Sequence, residues 1–109
     1  LKREDEFIDV YNNSYKQIIN RLRGLMPDPA ATININNIDY KVYNIEKSDI
    51  IKDMKTGEVF IDKKGLHIQT KEGKIIILEI QAPGKKRLKI KDFLNGQKDI
   101  QNGNFVGKR

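Results

Sequence analysis

The sequence predicts a mainly β domain with one N-terminal helix, its strands curled into a small antiparallel β-barrel. Three observations carry that expectation. A single apolar stripe recurs at helical spacing, from Tyr11 to Leu22. After Pro29 the apolar residues alternate instead, in short runs punctuated by turn residues roughly every ten positions. The alternation also changes phase inside one run, at Tyr43, as a β-bulge would make it do, and bulges bend strands enough for small barrels to close.

The totals set the bounds. A chain of 109 residues is one domain with one modest core, able to bury about two-thirds of its unfolded surface. The absence of cysteine excludes disulfides and thiolate metal sites and points to a reducing, cytoplasmic setting. No apolar run approaches the roughly 20 residues of a membrane span, and "LKREDEFIDV" lacks the apolar region of a signal peptide. The first residue is Leu, not Met, as in a piece of a longer protein. The net charge of +6 is uneven: residues 1–62 hold 9 basic and 11 acidic side chains, and residues 63–109 hold 12 and 4. The second part therefore carries a net +8, the electrostatic footprint of a protein that meets a polyanion.

Residues 1–10 are mixed in charge and read as a linker or arm ahead of a domain over 11–109. Tyr11, Tyr15, Ile18, Ile19 and Leu22 share one face of a helix. Ser14 followed by Gln17 fits a capping box, and Gly24, Pro27 and Pro29 end the helix. Ile33 and Ile35 alternate with polar residues and lead into Asn36-Asn37, which suits the positive φ of a tight hairpin. Ile38, Tyr40 and Val42 form the return strand, with Tyr43 and Ile45 inward after the phase change. Residues 46–56 make a polar connection, beneath which Ile50, Ile51 and Met54 are placed to pack. Gly57–Ile61 and Leu66–Thr70 are further strands separated by an Asp62–Gly65 turn. After a Lys71–Lys74 turn, Ile75–Ile80 is almost continuously apolar, so both of its faces should be covered. Lys91–Gly96 reads as a helical turn, and Phe105-Val106 as a last pairing segment. A helix with a five- or six-stranded antiparallel barrel resembles the oligonucleotide-binding fold.

No catalytic constellation stands out. His67, the single histidine, falls on the polar side of its strand and reads as solvated. With one His and no Cys a transition-metal site is not expected. No phosphate-binding loop, dinucleotide fingerprint or nucleophile elbow occurs. The basic segment is more informative. Pro83-Gly84 should turn the chain at the end of the apolar strand. Lys85, Lys86 and Arg87 then follow side by side, with Lys89 and Lys91 at period two and Leu88 and Ile90 facing the other way. Such an edge can set several cations along a phosphate backbone. No exposed aromatic neighbours it, so charge and shape rather than base stacking would do the binding. Alternatively, these lysines could simply protect a solvated edge strand from aggregation, and Arg21 and Arg23 could serve the helix dipole.

These residues also carry a family resemblance. "LHIQTKEGKIIILEIQAPGKKRLKIKDFLNG" resembles the C-terminal domain of methionyl-tRNA formyltransferases: a Gly-Leu-x-Ile-x-Thr strand, an acidic-Gly turn, Leu-Glu-Ile-Gln, Pro-Gly-Lys-Lys-Arg and Asp-Phe-Leu-Asn-Gly, in that order. Upstream, "REDEFID" is similar to the interdomain linker and "IINRLRGLMPDPAATI" to the helix and proline segment. Val10, Asp28, Ala30-Ala31 and Leu88 depart from the usual pattern. The resemblance implies a parent transferase that formylates Met on initiator tRNA from 10-formyltetrahydrofolate. Its Asn, His and Asp would lie in a separate N-terminal catalytic domain, leaving no cofactor, catalytic residue or metal in this one. It further implies that the barrel turns a basic surface to the tRNA. On this sequence that surface maps to Lys85, Lys86 and Arg87, then Lys89 and Lys91, with Lys2 and Arg3 in the linker and Arg21 and Arg23 on the helix. Related formyltransferases that act on sugar nucleotides or process folate reuse such a barrel without RNA. In that alternative it would be a structural or docking module bracing its catalytic domain.

Overall fold

The computed structural model describes residues 7–23, 31–96 and 99–107. The expectations for Gly24, Pro27, Pro29, Lys2 and Arg3 lie outside them. The run Ile75-Ile76-Ile77-Leu78 cannot leave either face in water without losing roughly 2 kcal/mol per large side chain. It accordingly becomes the central strand, β5 (Lys74–Gln81), with Ile75, Ile77 and Ile80 fully buried. Five further strands are β1 (Ala31–Ile35), β2 (Ile38–Lys47), β3 (Val59–Ile61), β4 (Leu66–Gln69) and β6 (Arg87–Lys89). They form an antiparallel sheet in the order β1-β2-β5-β4-β3, and β6 pairs with β5 beyond the end of β4.

The hairpin between β1 and β2 turns at Asn36 and Asn37, whose φ angles of 55° and 66° are the two positive values a type I′ turn requires. The bulge lies where the phase change placed it. The register of β2 against β5 shifts between Val42 and Asn44 and again before Ile45. The sheet then curls into a half-barrel whose two outer strands are joined by the chain near its C-terminus. Val106 N–H donates to Gly57 O, Gly107 N–H to Asn34 O and Val59 N–H to Asn104 O, and Phe105 and Val106 bridge to Glu58 and Ile35. Tyr40 and Phe93, the latter on helix α2 (Ile90–Gly96), meet edge to face at 5.8 Å inside.

Four expectations need correction. Helix α1 spans Tyr15–Arg23 and does not begin at Tyr11. The Asp9 carboxylate accepts from the N–H groups of Tyr11 and Asn12, holding those residues in a turn. The helix starts one turn later, at the capping box, where Ser14 N–H donates to Gln17 Oε1 and Gln17 N–H to Ser14 Oγ. Secondly, the end of the presumed arm is packed. Ile8 N–H donates to Thr32 O on β1, and Ile8 and Val10 are buried because both side chains point into the core. Thirdly, Ile51 is fully exposed rather than tucked beneath the β2–β3 connection.

The fourth correction concerns His67, which is 1% exposed. The β2–β3 connection crosses the polar side of β4, so alternation along the strand does not report exposure there. His67 Nδ1 meets Ser48 Oγ at 2.7 Å, and Nε2 meets Asp62 Oδ1 at 2.8 Å. Ser48 is itself buried, and its N–H is bonded to Lys74 O. The trio is a clamp between the connection and the β3–β4 turn. Burial pushes the Asp62 carboxyl up. Hydrogen bonds from His67 and from the N–H groups of Lys64 and Gly65 outweigh that effect and hold it below the usual carboxylate range.

Two outcomes are expected. Because the folded-state pKa of Asp62 is lowered, its contribution is complete above the unfolded value of about 4 and is lost as pH falls through the folded one. Urea midpoints measured from neutral pH downward should therefore fall less steeply below about pH 4 for Asp62→Asn than for the parent chain. Gly73 has φ +82°, and a Cβ there would stand 2.3 Å from Tyr15 Cδ2. Gly73→Ala should cost about 1–3 kcal/mol in denaturant titration. Gly84→Ala, at φ +72° in open space, should cost less.

Candidate nucleic-acid interface

The basic segment begins with a turn that its sequence dictates. Lys85 N–H donates to Ala82 O at 3.0 Å, with Pro83 and Gly84 at the two central positions and Gly84 at φ +72°. Pro supplies the first φ of a type II turn and only Gly takes the second without strain. The Gln81 amide braces this turn, donating to Lys85 O at 2.8 Å and accepting from Tyr43 Oη at 2.6 Å. The turn thus hangs on β5, the most deeply anchored strand.

Beyond it the cations separate into two kinds. Arg87 lies with its guanidinium 4.1 Å from the centroid of the Tyr43 ring, and Nη2 reaches Glu79 Oε1 at 2.6 Å. A planar guanidinium can stack and pair at once, which an ammonium cannot. Arg87 therefore ties β6 to β5 and β2. Lys85, Lys86 and Lys89 are exposed, and none has an ion-pair partner among the described residues. Three ammonium groups within five residues raise the local positive potential, and little but solvent offsets it.

Lys91 does not continue this strand edge. β6 ends at Lys89, Ile90 turns into the core at 2% exposure, and Lys91 stands in the first turn of α2. The buried apolar positions Ile90 and Phe93 are three residues apart, a helical spacing that overrides the period-two reading of the lysines. Arg21 is exposed on α1 and lines a hollow with Phe7, Asn13 and Gln17, apart from the β5–β6 turn. Arg23 closes the same helix, and Lys2 and Arg3 lie outside the described residues. Residue-by-residue reading missed Tyr43, Glu79 and Gln81. Tyr43 and Glu79 are far apart in sequence; the β5–β6 pairing sets Arg87 beside Glu79, and the β2–β5 pairing adds Tyr43.

Among the described residues no group of three or more His, Asp or Glu side chains could hold a metal ion. No helix among them is long and apolar enough to cross a membrane.

Comparison with known proteins places this architecture. The family model for the formyl transferase C-terminal domain matches residues 1–98. The chain is 35% identical over 104 residues to the methionyl-tRNA formyltransferase of Borreliella burgdorferi (strain ZS7), an alignment covering 92% of this chain and 33% of that protein. It is 36% identical over 110 residues to the enzyme of the same name from Lactococcus lactis subsp. lactis (strain IL1403), covering 98% and 34%. It thus spans about a third of the length of these relatives. Variants of HypX from Aquifex aeolicus share the fold, one with a TM-score of 0.70 at 18% identity over all of this chain and 22% of that one. HypX in complex with tetrahydrofolic acid gives 0.68 at 15%, over 100% and 21%. The helix, the curled sheet and the match over residues 1–98 together show that this chain belongs to the formyl transferase C-terminal domain family.

Proposed function

We propose that this chain is the C-terminal domain of a methionyl-tRNA formyltransferase, and that it grips the tRNA by its phosphates while an N-terminal domain performs formyl transfer. The observation that carries the RNA reading is the trio Lys85, Lys86 and Lys89, on a braced turn and the strand that follows it, exposed and without an ion-pair partner among the described residues, while Glu79 is paired with Arg87. A phosphate backbone is the ligand such a surface suits. Each neutralised phosphate releases counterions, and the rigid turn keeps the lysines from collapsing onto acids of their own protein. Relatives of the same name support the choice of RNA. With no stacking platform beside these lysines among the described residues, the grip positions the tRNA but does not read its sequence. Discrimination of the initiator and use of 10-formyltetrahydrofolate belong to the catalytic domain, and the cytoplasm is where those substrates meet.

Titration of the chain with initiator and elongator tRNA at two salt concentrations tests the grip. Binding should be steeply salt-dependent and similar for both tRNAs. Lys85→Glu/Lys86→Glu should abolish it while leaving the denaturation midpoint unchanged. An absence of binding at low salt would instead make the barrel a brace for its catalytic partner. Arg87→Gln should behave differently from the lysine variants. It removes a stacked, paired side chain, so it should lower stability by about 1 kcal/mol and change the salt slope less than either Lys85→Gln or Lys86→Gln.

A further inference from the structure

Beside the β5–β6 turn the structure holds a second basic feature that no strand pattern announces. Lys63, in the turn between β3 and β4, and Lys91, on α2, line one open groove of about 550 Å³. Ile61, Gly65 and Leu94 supply its apolar walls and Asn95 an amide. Both lysines are exposed, and neither has an ion-pair partner among the described residues. Asp62 also borders the groove, but its carboxylate is engaged by His67 Nε2 at 2.8 Å and by the N–H groups of Lys64 and Gly65 at 2.9 and 3.2 Å. These bonds all fall on Oδ1 and fix the turn that carries Lys63, while the Asp62 side chain stays 29% exposed at the margin of the groove.

We infer that the Lys63–Lys91 groove is a second phosphate-contact site for RNA, joined to the first through Lys89. This rests on the proposed RNA reading and extends it to a residue outside the basic segment. Lys89 and Lys91 are separated by one residue, so their Cα atoms are at most about 7 Å apart. That is close to the spacing of neighbouring phosphates along a strand. A backbone leaving Lys85, Lys86 and Lys89 can thus continue over Lys91 to Lys63, with the Asn95 amide offered to a ribose hydroxyl or phosphate oxygen. The buried Ile90 is what makes this possible. It turns the chain from β6 into α2 and so carries Lys91 off the strand edge and into the groove.

The test is the salt dependence of initiator-tRNA binding by the chain, followed by fluorescence anisotropy between roughly 50 and 200 mM salt. Lys63→Gln/Lys91→Gln should reduce the slope of log K against log salt by about two, one for each lost phosphate contact. Lys85→Gln/Lys86→Gln serves as the positive control. Lys16→Gln, an exposed lysine on α1, should leave the slope unchanged. Thermal denaturation checks that each variant folds. If the control pair lowers the slope and Lys63→Gln/Lys91→Gln does not, the second site is wrong and the RNA reading stands. If neither pair changes it, both fall. If Lys16→Gln lowers the slope as much as Lys63→Gln, binding is a diffuse charge effect and the groove is no site. If polyglutamate binds the chain in a Lys63-dependent manner and tRNA does not, the partner is an acidic protein and the inference is overturned.

Discussion

Strand β5 is hydrogen-bonded along both edges, and the rest of the molecule is arranged around that fact. β2 runs beside one edge from Ile75 to Gln81. On the other, β4 takes Lys74 to Ile77 and β6 takes Glu79 to Gln81. A strand so enclosed buries Ile75, Ile77 and Ile80 completely. Two consequences follow for function. The turn that carries Lys85 and Lys86 leaves the best-anchored strand in the protein. And β6, only three residues long, is held in place by the strand it borrows rather than by its own length. A site on such a scaffold is presented with little conformational freedom left to lose on binding.

Polar side chains at the margins divide between holding the fold and facing solvent. Glu79, Gln81 and Tyr43 hold Arg87 and the β5–β6 turn. Ser48, His67 and Asp62 hold the β2–β3 connection against the β3–β4 turn. In each trio an acid is engaged by its own protein, Glu79 by Arg87 and Asp62 by His67.

The relatives are chains about three times as long as this one. HypX shares the fold at 15–18% identity, so this architecture persists when most of its residues differ. What distinguishes one use of such a fold from another lies in its side chains, not in the strand order.

Much of the architecture was legible in the sequence because it is local. Asn36-Asn37, the Ser14–Gln17 box and Pro83-Gly84 each specify backbone angles within four residues. Alternation around Ile33, Tyr40 and Val42 specifies a buried face, and the slip at Tyr43 a bulge. All of these depend on contacts along a strand or a single turn. Tertiary structure decided the rest. His67 is buried because a connection nineteen residues upstream at Ser48 crosses its strand. Ile8 and Val10 belong to the core because β1 has an edge to offer. Arg87 became a tie and not a free cation because pairing between distant strands put Tyr43 and Glu79 beneath it. Lys63 meets Lys91 only because α2 packs near the β3–β4 turn. Short-range spacing encodes which residues share a face. It cannot encode which distant segment will cover that face, and that cover determines whether a polar side chain is a ligand contact or part of the framework.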